Sequence, residues 1–95
     1  MPPVHPGVFL GEILAELDVS QARFAEAAGV NRMRVSQIVT GSRSISADLA
    51  LRFGKILGQT PEYWLNLQRD FDLGKAKAEI ADTLEALQPL PQAAE

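Results

Sequence analysis

The chain has 95 residues, 46% of them hydrophobic, no cysteine and a formal net charge of −3. That length supports one small domain with a modest core, and the lack of cysteine excludes disulfides and thiolate metal sites. No apolar run reaches the ~20 residues needed to span a bilayer, and the opening MPPVHPG lacks the segments of a secretory signal, so a cytoplasmic protein with no membrane association is expected.

Strand signals are weak, without sustained alternation, and the sequence reads as five helices. The first is expected from about Pro6 to Leu17, with Pro6 in the first turn, where its missing N–H costs nothing. Phe9, Ile13, Leu14 and Leu17 recur at helical steps and predict its apolar stripe. Ser20 is the expected N-cap of a second helix, about Gln21 to Ala28, which buries Phe24, Ala25 and Ala28 and stops at Gly29. Asn31 caps a third, about Arg32 to Thr40, with Val35, Ile38 and Val39 apolar and Gly41 at its end.

A fourth helix follows the cap Ser46, with Asp48 in its first turn, Ala50, Phe53, Gly54 and Leu57 as its buried stripe, and Gly58 as its stop. The stretch TPEYW opens the fifth: Thr60 as cap, Pro61 at the first position and Glu62 behind it, with Trp64, Leu67 and Phe71 on one side. After Gly74 the pattern weakens, although Ile80, Leu84 and Leu87 still repeat and leave room for an extra C-terminal helix. The closing QPLPQAAE is Pro-rich and expected to be disordered.

Charge is unevenly spread. Between Ala27 and Ala47 there is no acid, while Arg32, Arg34 and Arg43 are present; from Thr60 onward acids outnumber bases. Two surfaces with different partners are implied. The basic window coincides with the join of the second and third helices. Gly29-Val30-Asn31 is too short a connection for anything but a sharp crossing, and small residues at Ala25, Ala28 and Gly29 allow the backbones to approach. This is the pattern of a helix-turn-helix.

If Val35 and Ile38 face inward, the third helix turns Arg32, Met33, Ser36 and Gln37 outward, with Arg34 at the flank. These are the expected base-reading residues: Arg can bond both guanine acceptors, and Gln can pair two-pronged with adenine. A carboxylate on this face would meet phosphates, which accounts for the missing acids. Ser20 and Gln21 at the start of the second helix, and Thr40, Ser42 and Arg43 past the third, are the expected phosphate contacts.

The stretch SQARFAEAAGVNRMRVSQIVTGSRSISADLALRFGKIL resembles the XRE (Cro/C1-type) helix-turn-helix family, and the flanking HPGVFLGEIL and TPEYWLNLQRDFDL are similar to HigA/VapI-type antitoxins. The resemblance covers about residues 5 to 77. It implies an all-α, five-helix, lambda repressor-like domain over 1–77 and a short extension over 78–95. It also implies a homodimer that binds an inverted-repeat operator in double-stranded DNA, represses its own operon and neutralises a HigB/RelE-like mRNA-cleaving toxin. Matched by position, bases are read from Arg32, Met33, Arg34, Ser36 and Gln37, and phosphates are met at Gln21, Thr40 and Arg43. Met33 departs from the polar pattern and is left a thymine methyl as its contact, or no contact at all.

Other residues have plainer readings. His5, the only histidine, is expected at a helix entry, since nothing partners it as a ligand or nucleophile. Neither a cofactor nor an enzymatic activity is expected. Glu12 and Glu16 fit a solvated face, Trp64 fits the core, and Gly11 and Gly54 are weak helix formers in need of explanation. Leu49, Leu51 and Ile56 lie off the main stripe of the fourth helix and, with Leu65 and Phe71, are expected at a dimer interface. A stand-alone repressor without a toxin is the alternative; the acidic C-terminal third favours the antitoxin, whose partner is expected to be basic.

Overall fold

The computed structural model describes residues 2–91. Six helices follow one another: α1 (Pro6–Leu17), α2 (Gln21–Ala28), α3 (Arg32–Val39), α4 (Ala47–Leu57), α5 (Pro61–Glu79) and α6 (Ala81–Ala86). No strand occurs among the described residues.

Local chemistry accounts for most helix ends. The hydroxyls of Ser20, Ser46 and Thr60 accept from the N–H groups of Arg23, Leu49 and Tyr63, and Asn31 Oδ1 accepts from Met33 N at 2.7 Å. Each satisfies one N–H that has no partner inside its helix. His5 caps α1, its Nδ1 accepting from Gly7 N at 2.9 Å. Gly29 closes α2 at φ +69, a left-handed conformation that a side chain would resist.

The core is one cluster built around Trp64, Phe24, Phe53, Leu10, Ile38 and Val35, all essentially without solvent contact. Phe53 meets Phe24 at 5.0 Å and Trp64 at 5.7 Å between ring centroids. The indole N–H of Trp64, buried as expected, donates to Gln59 Oε1 at 2.9 Å. Two glycines permit backbone contact that no other residue allows. A Cβ at Gly7 would land on the Ile38 carbonyl, so α1 rests directly on α3. A Cβ at Gly54 would stand 2.5 Å from Gln59 O, which explains the glycine in mid-helix.

Two stripes are rotated from expectation. In α1 the buried residues are Pro6, Gly7, Leu10 and Leu14, while Leu17 is 56% exposed. The contact with α3 and α5 buries the i, i+4 row through Pro6 most deeply; Phe9 and Ile13 pack half-buried on the core, and only Leu17, at the end of the helix, falls beyond the bundle. In α4 the buried residues are Leu49, Ala50, Phe53 and Gly54. Leu49, expected at a dimer interface, is therefore a core residue at 3% exposure. The reason is that α4 packs against both α2 and α5, which buries a broader face than one stripe.

The fifth helix does not stop near Gly74. It runs through the boundary expected at residue 77 to Glu79 and carries the molecule to 54 Å along its longest axis. Gly74 has a local reason, since its missing Cβ would stand 3.0 Å from Pro3 Cβ in the N-terminal arm. The anticipated extra helix is α6, which continues from the end of α5 and buries none of its residues. The disorder expected of the tail concerns, in part, residues 92–95, which lie outside the described residues.

Candidate nucleic-acid interface

The turn between α2 and α3 is held from behind. Arg52 of α4 donates through Nη1 to the carbonyls of Ala28 (2.9 Å) and Gly29 (3.2 Å), where the α2 dipole is negative. Its Nε bonds Asp48 Oδ1 at 2.7 Å. The first acid after the basic window is thus occupied by an arginine behind the turn. Sequence reasoning missed Arg52; its spacing of four from Asp48 on one helix was the available signal.

With Val35 and Ile38 fully buried, Arg32, Met33 and Arg34 are exposed and Ser36 and Gln37 half-buried. Among the described residues neither the Arg32 nor the Arg34 side chain has a hydrogen-bond or ion-pair partner. Met33, Arg34, Gln37 and Arg43 line one concavity together with Asn31. Asn31 is a second residue that sequence reasoning took only as a cap. Arg32 and Ser36 lie outside the lining of that concavity.

The loop after α3 is fastened onto Gln37. The Gln37 backbone carbonyl accepts from Ser42 N (2.8 Å), Ser42 Oγ (3.2 Å) and Thr40 Oγ1 (3.2 Å). Its side-chain Oε1 accepts from Arg43 Nε at 2.9 Å. A hydroxyl has one proton, so Thr40 and Ser42 direct theirs into the protein, and phosphate contact from either requires that hydroxyl to turn. At the other end of the site, Ser20 acts as an acceptor in its cap, which leaves its proton for an external oxygen. Gln21 is half-buried beside it, at a helix start whose first N–H groups have no intrahelical acceptor.

His5 joins the two sides of the arm. Its ring meets Phe71 edge-on at 4.9 Å. Burial pushes the imidazole below its ordinary value, opposed by a hydrogen bond with the backbone of Arg43 and by the charge of Asp72. A neutral ring is what the cap requires, because only an unprotonated Nδ1 accepts. Gln68 (6% exposed) ties the same loop to α5: its Oε1 accepts from Ile45 N at 2.8 Å and its Nε2 donates to Asp72 at 2.9 Å.

Of the remaining residues expected at a dimer interface, Leu51 is 60% exposed and Ile56 38%, while Leu65 and Phe71 are half-buried. Leu65 packs on the core and Phe71 on His5. No group of His, Asp or Glu among the described residues is arranged to hold a metal ion, and no described helix is long and apolar enough to cross a membrane.

A helix-turn-helix family model matches residues 10–65, more than half of the chain. The solved structure of an addiction-module antidote protein of the HigA family from Coxiella burnetii is 41% identical. It superposes with a TM-score of 0.91 over 95% of this chain and 100% of that one. The chain belongs to the HigA family of helix-turn-helix antitoxins. Antitoxin HigA-1 of Vibrio cholerae is 34% identical over 93% of this chain and 84% of its own length. The Pseudomonas aeruginosa antitoxin HigA, solved with the higBA promoter, is 37% identical, with a TM-score of 0.88 over 94% of this chain and 99% of that one. These relatives are antitoxins, not enzymes.

Proposed function

We propose that this chain is an antitoxin that represses its own operon by binding operator DNA through α3 and neutralises a toxin encoded beside it. The observation that carries the DNA reading is the outer face of α3: free arginines at 32 and 34, and a concavity lined by Met33, Arg34, Gln37 and Arg43 with no acid in it. Unpaired guanidinium groups on a helix held by a rigid turn suit guanine edges and phosphates. A family relative solved with its promoter supports DNA binding.

In this reading Arg32, Arg34 and Gln37 meet bases, Met33 meets a thymine methyl, and Ser36 lies beside them. Ser20, Gln21 and Arg43 meet phosphates, joined by Thr40 and Ser42 once their hydroxyls turn. A two-fold dimer presents two α3 helices about 34 Å apart to an inverted repeat, with Leu51 and Ile56 as the exposed apolar residues of α4 available to that contact. The toxin partner is basic, and the acids Glu79, Asp82 and Glu85 at the exposed end of α5 and on α6 favour it.

Arg34→Ala is expected to lower operator affinity by about 1–3 kcal/mol and relax one position's preference in a gel shift on the DNA upstream of the gene. Unchanged binding in both Arg34→Ala and Gln37→Ala removes the DNA reading. Co-purification with the product of the adjacent reading frame tests the toxin; a repressor that binds operator and captures no neighbour is the stand-alone alternative.

A further inference from the structure

The bond from Arg43 Nε to Gln37 Oε1, at 2.9 Å, joins two residues that the sequence assigns to different tasks. A guanidinium carries donors only. Contact with it therefore fixes which end of the Gln37 amide faces Arg43: the oxygen. The amide nitrogen lies at the other end, and among the described residues it has no protein acceptor. The backbone cannot easily slip to change this, since three donors from Thr40 and Ser42 hold the Gln37 carbonyl and set the loop that carries Arg43.

The consequence concerns base choice. A free glutamine pairs with adenine by accepting from N6 and donating to N7. Here the accepting oxygen is already engaged by a cation, and the adenine amino group would approach a guanidinium. Guanine offers N7 and O6, both acceptors, which match an edge that presents only donors. We infer that Arg43 sets the hydrogen-bond polarity of Gln37, so that the pair reads guanine where Gln37 alone would read adenine. Arg43 is in this respect a positioning residue for specificity, and its four Nη hydrogens remain for a phosphate. The inference rests on the proposed DNA reading and adds a base preference to it.

The test uses the full chain and a library of duplexes randomised over a half-site, followed by titration of single-base variants of the selected site. The wild-type protein should show one base pair whose preference vanishes in Gln37→Ala, and that base should be guanine. Arg43→Ala should weaken all sites somewhat. At that one pair it should also shift the preference from guanine toward adenine, a change in the ratio of roughly five- to 150-fold. Gln37→Glu keeps an acceptor for Arg43 but removes the donor, and should turn the preference toward cytosine, whose N4 donates. An Arg43→Ala protein that loses affinity by the same factor on every duplex, with the Gln37-dependent pair unchanged, overturns the inference and leaves the DNA reading standing. So does an adenine preference in the wild type. If Arg34→Ala and Gln37→Ala both bind as the wild type does, the DNA reading fails, and the inference with it.

Discussion

Gln68→Leu is the substitution whose cost can be worked most directly from the structure. Among the described residues Gln68 is the one polar residue buried in the core, and its Oε1 is the acceptor for Ile45 N, 23 residues away in the chain. Ile45 is itself 3% exposed, so water cannot easily replace the lost acceptor. Leucine fills nearly the same volume and leaves that N–H unpaired, which costs about 1–3 kcal/mol. For a domain of this size a loss of about 2 kcal/mol lowers Tm by roughly 8–16 °C. Thermal melts at one fixed protein concentration measure it, because any self-association makes Tm concentration-dependent. Asp72→Ala is the control. It removes the partner of Gln68 Nε2 at the exposed margin, together with a carboxylate charge near His5, and should cost less than about 1 kcal/mol. A Gln68→Leu protein within about 0.5 kcal/mol of wild type, or less affected than Asp72→Ala, would refute the assignment of that bond as a structural tie.

Two of the helical glycines, Gly11 and Gly54, should respond in opposite directions. At Gly11 a Cβ meets only Val39 Cγ1 at 3.5 Å, so Gly11→Ala should stabilise by about 0.5–1 kcal/mol in denaturant titration. Gly54→Ala forces α4 off Gln59 O and should destabilise by about 1–3 kcal/mol in the same assay. His5 makes stability pH-dependent. Its folded value is lowered, so its contribution is full above the unfolded value near 6.5 and is lost as pH falls through the folded one. His5→Asn, which keeps a capping acceptor without titrating, should show a shallower fall in Tm between pH 7 and pH 5. Arg52→Ala should cost about 1 kcal/mol by freeing the Ala28 and Gly29 carbonyls, seen as faster amide exchange across the α2–α3 turn.

What the sequence determined by itself is local. Ser20, Asn31, Ser46 and Thr60 cap where they were expected to, because a cap is a bond between residues two or three apart. The helix-turn-helix and the outward set of α3 followed from the same short range: a three-residue connection, a left-handed glycine, and two apolar residues that leave one face for solvent. Only the tertiary structure decided which row of a helix is buried. Leu49 and Leu17 exchanged expected roles because α4 has two neighbours and α1 ends at the edge of the bundle. Nor does spacing reveal that Gly7 lies against the Ile38 carbonyl, that Gln68 holds Ile45, or that Arg43 folds back onto Gln37. Those contacts depend on the paths of loops and on helix approach distances, which the packing of the whole chain sets.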